Sequence, residues 1–293
     1  MSFYHQKLSR TFIPLGLSGV FMGLAIASKW IGCYGAVGLA VLFFSRFIAL
    51  YKQSRYAQKH RAENPAFAHA ADSFVQKGAL TIAACIVFFV LVPVTIYVMS
   101  YIPYLSAYGE VKLNLKTLER IWNAQVTMFE YHKNLVATHY FSSPWYEWPL
   151  IVKPMWYYSA AFPAMGKAST IMAFGNPAVW WTCLVVSVVI IGRLIRGRMK
   201  TDKIWMVLLI GLAAEYIPWV LVPRCTFIYH YFASVPFIIL ISVRALMQKE
   251  QLDVRYKCVK WIWLGAAVAL FALFYPVITG VVCSRGYIKM LEW

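Results

Sequence analysis

Two cations stand inside otherwise apolar sequence, Lys29 within residues 23–39 and Arg224 within residues 218–232. A charge in or at the edge of a hydrocarbon layer is costly, so a functional reading is its default. The planar fork of Arg and the point charge of Lys both suit a phosphate. The competing structural readings are an ion pair or a snorkelling stem for Arg224, and plain solvation at a turn for Lys29. Glu215 lies in the apolar run before Arg224, deep enough to lose water. It is read as orienting a cation or an acceptor, or equally as the ion-pair partner of Arg224, and not as a base. His132, His139 and His230 complete the titratable set, with Tyr229 and Tyr231 flanking the last. A lone histidine is more often a hydrogen-bonded packing residue than a catalyst, and that reading competes at all three.

The elements that must position these residues belong to a membrane. Of 293 residues, 61% are hydrophobic, 17% aromatic and only 13% charged, against about 25% charged in soluble domains. Runs such as Leu80 to Tyr101 and Trp261 to Cys283 are long enough to cross a hydrocarbon core of roughly 30 Å. They are apolar on every face, which makes the spans helices and not barrel strands. The net charge of +17 raises nucleic acid as a partner, but no basic stripe carries a reading motif, so that class is excluded. Instead the cations collect between spans. Arg46, Lys52, Arg55, Lys59, Arg61 and Lys77 lie in one connection, Arg193 to Lys203 in a second and Arg244 to Lys260 in a third. Basic connections of this kind stay in the cytoplasm.

About seven membrane helices follow, an all-α polytopic bundle. The stretch Ile13 to Phe44 reads better as a tight hairpin turning near Lys29 than as one crossing, because a hairpin keeps Lys7, Arg10 and the loop at 45–79 on one side. Gly19, Gly23 and Ala27 recur every four residues and give a face where another backbone can approach. Residues 80–101 then run outward, 177–192 inward, 204–221 outward, 226–243 inward and 261–283 outward. This makes three regions: 1–101 with the first helices, an outer loop at 102–175, and a four-helix region at 176–293, with the N-terminus cytoplasmic and the C-terminus outside. Asn176 before Pro177, and Asp202, are helix starts whose side chains can accept orphan N–H groups. In the outer loop Leu115, Leu118, Trp122, Phe129, His132 and Leu135 share one helical face, predicting an amphipathic helix in the interface plane. Trp145, Trp148, Trp156, Tyr157, Tyr158, Trp180 and Trp181 suit an aromatic belt at headgroup level. The six cysteines show no metal-type spacing and read as packing residues, with a disulfide among Cys33, Cys225 and Cys283 as the alternative. No signal peptide is evident, and no cofactor is called for.

Four stretches carry a resemblance: GLAIASKWIGCYGAVGL at 23–39, QVTMFEYHKNLVATHYFSSPWYEWPL at 125–150, GNPAVWW at 175–181 and PWVLVPRCTFIYHYF at 218–232. In this order they resemble the C-terminal membrane half of the protein O-mannosyltransferase family, in its shorter bacterial form. The resemblance implies a GT-C type helical fold and transfer of mannose from a polyprenyl-phosphate carrier to Ser/Thr hydroxyls of secreted or membrane proteins. It implies a donor-phosphate role for Arg224 and Lys29, and it moves His132, His139, Trp148, Glu215 and His230 toward acceptor or sugar contacts. It also implies several earlier spans and an outer-loop Asp-Glu pair that supplies the base. Nothing here matches that pair; Glu110, Glu119, Glu130, Glu147, Glu215 and Glu292 form no close couple. The chain is therefore expected to act as a C-terminal portion, with an N-terminal half on a separate chain as a candidate partner. The alternatives are a non-catalytic lipid-phosphate-binding subunit and another polyprenyl-phosphate glycosyltransferase. A small transporter is the last, and it would need an internal repeat that is not found.

An engineered cysteine at Gln58 should react with an impermeant thiol reagent only after cells are permeabilised. Strong labelling in intact cells would overturn the assigned sidedness.

Overall fold

The protein is seen in a computed structural model that describes residues 8–63, 65–109, 114–135 and 137–292; Lys7 and Glu110 lie outside them. It is a polytopic helical membrane protein of the GT-C kind. Six helical segments among the described residues are long and apolar enough to cross a bilayer. The chain divides into two compact units after Tyr131.

In the first unit, α1 (Leu8–Ser28) and α2 (Gly32–Lys59) form the expected hairpin. The turn at Lys29 to Ile31 is closed by Gly32 N–H donating to Lys29 O (2.9 Å) and Cys33 N–H to Trp30 O (3.0 Å). A Cβ at Gly32 would lie 2.7 Å from Ile26 N, so the turn needs glycine there. The next helix is longer than the apolar pattern suggests. α3 (Pro65–Ile86) passes through a π-helical turn at Val87–Leu91 into α4 (Val92–Met99) and the short α5 (Ile102–Ala107). Pro93 has no N–H to give the preceding turn, and the π turn just before it absorbs the mismatch. The small-residue face of α1 packs on this irregular stretch. A Cβ at Gly19 would sit 1.9 Å from Phe88 O, and one at Gly23 would sit 2.9 Å from Pro93 Cα. α2 and α3 close over Leu50, Ala57, Ala70 and Phe74, with Phe47 and Phe67 against them.

The helix whose single apolar face predicts an interfacial position is α6 (Leu115–Asn134). Asn114 and Thr117 cap its start reciprocally, Thr117 N–H donating to Asn114 Oδ1 (3.0 Å) and Asn114 N–H to Thr117 Oγ1 (2.8 Å). A polar chain pins it within its unit: Trp30 Nε1 donates to Tyr97 OH (2.8 Å), Tyr97 OH to Gln125 Oε1 (2.5 Å), and Gln125 Nε2 to Tyr101 OH (2.7 Å). Thr117 and Ile121 are buried, while Leu115, Trp122 and Phe129 stay exposed. An amphipathic helix showing its large apolar side chains outward is the form that lies in a membrane interface.

The second unit holds α7 (Pro177–Ile195), α8 (Lys203–Tyr216), α9 (Val235–Glu250) and α10 (Arg255–Thr279). Both helix starts read from sequence hold. Asn176 Oδ1 accepts from Ala178 N–H (3.0 Å), and Asp202 Oδ1 accepts from Ile204 and Trp205 N–H, each 3.0 Å. Asn176 also donates from Nδ2 to Ala267 O (2.8 Å), which fastens α7 to α10. Asp202 pairs with Arg244 on α9, whose guanidinium lies 5.0 Å from the Trp205 ring centroid. α7, α8 and α9 meet around Ile190, Trp205, Leu208 and Ile241. With its 16 residues α9 is the shortest of the four after α8, and it is entered through a 3-10 turn at Ile228–Ala233.

One element departs from the all-α expectation. β1 (Met155–Phe162) and β2 (Lys167–Ala173) form an antiparallel hairpin with a register shift between Trp156 and Tyr158, and β3 (Cys283–Ser284) adds a short edge to β2 before the terminal helix α11 (Arg285–Leu291). Trp156, Tyr157 and Tyr158 thus belong to a sheet that α10 covers, with Met172, Phe274, Val277 and Leu291 as its core. All six cysteines are free thiols, so the disulfide alternative falls.

Gly19→Leu should destabilise the first unit by about 1–3 kcal/mol or more, the usual range for overpacking, because the side chain meets a backbone carbonyl that cannot step aside. Gly265→Leu, where a Cβ meets nothing within 4 Å, should leave thermal unfolding in detergent unchanged. Equal melting of both variants with the parent would contradict the packing.

Candidate functional site

α8 stops at Tyr216 because Pro218 follows, and the chain passes through a 3-10 turn at Ile217–Leu221 into an irregular stretch carrying Arg224. This stretch is tied to the loop after α6 by two reciprocal bonds, Ser143 N–H to Thr226 O (2.9 Å) and Thr226 Oγ1 to Ser143 O (2.9 Å). Tyr216 OH donates to Trp145 O (2.9 Å) and Trp148 Nε1 to Ser143 O (3.0 Å), so both loops move as one piece.

Beneath them lies an aromatic box. Trp148 stacks on His230 with centroids 5.8 Å apart, and Trp219 packs on the same imidazole at 4.3 Å and edge-on to Trp148 at 5.5 Å. His230 Nδ1 lies against the Phe227 backbone, 3.1 Å from its N and 3.0 Å from its O. Trp148 is 1% and His230 3% exposed. The two rings that the resemblance moved toward sugar or acceptor contacts thus pack on each other and on Trp219. The box has a strained neighbour. Ile151 adopts φ 58° and ψ 38°, a region a β-branched residue rarely visits, and its side chain is fully buried.

Arg224 is half-buried at the surface of this assembly and makes no ion pair among the described residues. Glu215 is half-buried in α8 and makes no ion pair with Arg224, so of the two sequence readings of Glu215 the pairing with Arg224 is not seen. The 3-10 turn Ile217–Leu221 and the irregular residues after it separate the two residues along the chain. His132, near the end of α6, is brought toward Arg224. Partial burial of its ring, and secondly the Arg224 charge, hold its pKa below the ordinary histidine value. His139 is exposed, with its ring edge-on to Phe227 at 5.0 Å and Nδ1 accepting from Phe141 N–H (3.2 Å). Lys29 is exposed at the α1–α2 turn of the first unit.

Next to His139 the hairpin opens a cleft of about 570 Å³, lined by Tyr140, Phe141, Lys153, Trp156, Tyr157, Ser159 and Glu292 among others. Lys153 Nζ sits 5.2 Å from the centroid of Tyr140. Burial pushes the Tyr157 phenol up, so it stays a neutral donor, and its ring stacks on Tyr229 at 6.2 Å. The sequence gives Lys153 no site role, because the rings that follow it suit an aromatic belt as well as a strand. The run of aromatic residues in MWYYSAAF, set before the Pro163-to-Gly166 turn, is the one signal for the hairpin.

Residues 117–293 match the family model described as the C-terminal four TMM region of protein-O-mannosyltransferase. The chain belongs to that family. It is 24% identical to a polyprenol-phosphate-mannose–protein mannosyltransferase of Mycolicibacterium smegmatis, covering 94% of this chain and 56% of the relative. A protein of the same description from Corynebacterium glutamicum is also 24% identical with the same coverage. Dolichyl-phosphate-mannose–protein mannosyltransferase 1 of Saccharomyces cerevisiae is 24% identical over 57% of this chain and 22% of its own length. The chain thus spans little more than half the length of its bacterial relatives. Among solved structures, the S. cerevisiae protein O-mannosyltransferase Pmt1–Pmt2 complex bound to the sugar donor aligns with 62% of this chain and 26% of its own, at 20% identity and a TM-score of 0.46.

The His132 environment gives a signed expectation. A histidine whose folded pKa is depressed binds fewer protons folded than unfolded, so its contribution is fully present above the unfolded value of about 6.5 and is lost as pH falls below it. His132 should titrate below that value by NMR. Arg224→Gln should raise its pKa only part of the way back, because burial is the larger cause. A full return to 6.5 would make the Arg224 charge dominant and refute the geometry.

Proposed function

We propose that this chain forms the lipid-phosphate and acceptor side of an enzyme that transfers mannose from a polyprenyl-phosphate carrier to Ser/Thr hydroxyls of proteins at the outer membrane face. The observation that carries it is Arg224: a half-buried guanidinium without an ion-pair partner among the described residues, fixed by the Ser143–Thr226 bonds beside an aromatic surface. Displacing a phosphate from an anomeric carbon requires a base for the attacking hydroxyl and a cation for the phosphate that leaves. The leaving group needs no proton donor. A guanidinium can meet two phosphate oxygens at once, and Lys29 is the second candidate cation. Family membership and the donor named for the bacterial relatives support the same reading.

His132, held neutral, and His139 are the proposed hydrogen-bonding contacts to sugar or acceptor, and Glu215 is proposed to orient one of these groups. Trp148 and His230 position the loops. Tyr157 and Ser159 offer hydroxyls in the cleft of the kind that sugars and peptides accept. We place the chain in the cell membrane with the basic connections and the N-terminus in the cytoplasm and the C-terminus outside. An N-terminal half on a separate chain is the proposed partner, since the base of the reaction is not matched here. That last point also favours the second reading, a non-catalytic subunit that presents lipid phosphate.

The two parts separate by experiment. Purified chain in nanodiscs should bind polyprenyl phosphate, and Arg224→Ala should weaken that binding about tenfold or more while leaving insertion intact. The chain alone should not glycosylate a Ser/Thr-rich peptide, because a positioned general base supplies roughly 10² to 10⁴ in rate. Undiminished binding by Arg224→Ala would refute the phosphate role. Robust turnover by the chain alone, abolished by Glu215→Gln, would instead make Glu215 the base.

A further inference from the structure

A second site lies on the membrane-facing side of the second unit. α7, α9 and α10 leave between them a groove of about 420 Å³ whose walls include Val185, Val189, Ile190, Leu246 and Val259. From Thr182 to Arg193 it follows eleven residue steps of α7, about 17 Å at 1.5 Å per step. That is close to half of a hydrocarbon core of roughly 30 Å, the depth of one leaflet. Two cations, Arg193 and Lys249, stand at one end of the groove, and no acid lines it.

The charge pattern around that end is selective. Asp202 is taken by Arg244, Asp253 by Arg255 and Glu250 by Lys260. The acids of this end of the bundle are thus consumed by cations outside the groove. Among the described residues the side chains of Arg193 and Lys249 have no ion-pair partner. A one-leaflet apolar channel ending in two uncompensated cations complements a lipid with an acyl chain and an anionic headgroup. Water alone would leave the channel's hydrocarbon walls unfilled.

We infer that this groove holds one anionic phospholipid of the surrounding bilayer, its acyl chain along α7 and its phosphate on Arg193 and Lys249. The site is distinct from the one at Arg224. α8 starts at the Asp202–Arg244 pair beside the groove's charged end and runs its 14 residues away toward the turn that carries Arg224. A glycerophospholipid also fits the one-leaflet length better than a long polyprenyl chain would.

Native mass spectrometry of the full chain extracted from mixed phosphatidylglycerol and phosphatidylcholine nanodiscs tests this. One phosphatidylglycerol should be retained per chain in preference to phosphatidylcholine. Arg193→Gln with Lys249→Gln should weaken that retention roughly thirtyfold, the effect of two cations beside an anionic lipid, while Arg224→Ala should not change it. Val189→Trp, which fills the groove and keeps both cations, should expel the lipid and decides the matter if the double variant fails to fold. Equal retention of the two lipids by the parent, undiminished phosphatidylglycerol in either groove variant, or its displacement by equimolar polyprenyl phosphate would overturn the inference.

Discussion

In hydrocarbon every backbone N–H and C=O must find a partner within the protein, and the rest of this molecule is arranged around that demand. Helices meet it alone, and so they make up the spans. Each irregular stretch needs another provision. At the Lys29 to Ile31 turn the carbonyls of Lys29, Trp30 and Ile31 accept from the next helix's first N–H groups. At the π turn Val87–Leu91 the backbone of α1 comes close enough at Gly19 that no side chain fits between. Past α8 the polar backbone around Thr226 is met by the loop at Ser143, and that same provision sets where Arg224 stands.

The helix starts were legible because each depends on a residue and its immediate neighbours. Asn176 and Asp202 cap the helices that follow them whatever surrounds them, and Gly32 closes its hairpin through atoms six residues away. Helix α6 was legible from its single apolar face. The sheet was not. β1 carries three consecutive aromatics broken by a bulge, so its alternation is interrupted where it would be strongest, and β2 is a run of small residues that pairs by register and not by pattern. Nor could the sequence decide between pairing Glu215 with Arg224 and separating them. Nine positions apart, they would lie on opposite faces of a continuous helix, and Pro218 instead ends α8 and leaves their relation to an irregular stretch that no periodicity describes.

The sequence shows the candidate site as a set of residues and does not show which surfaces they present. Trp148 and His230 lie 82 positions apart, and only the folded loops reveal that each covers the other. Aromatic rings and a histidine near a membrane edge look alike whether they meet a sugar or one another. Burial separates them in the fold: Trp148 and His230 are enclosed, while His139 is exposed and Arg224 half-buried. Lys153 was missed for the converse reason: its place in a cleft depends on the hairpin that begins two residues later.

Packing of this kind explains why a strained residue is kept at Ile151. A left-handed β-branched residue costs of order 1–3 kcal/mol, and glycine would remove that cost, but glycine would also empty a fully enclosed place in the core. Burying an isoleucine contributes about 1.5–3 kcal/mol, so the two effects are of one size and the side chain holds the backbone in a turn it would otherwise leave. That turn carries the end of the Trp148–Leu150 segment, with Ile151 N–H donating to Trp148 O (3.0 Å). Trp148 in turn fixes Ser143 through its indole N–H, and Ser143 fixes Thr226. A continuous line of packing and hydrogen bonds therefore runs from Ile151 to a position two residues from Arg224. Rigidity along that line holds the segment carrying Arg224 in place although the guanidinium has no ion-pair partner among the described residues.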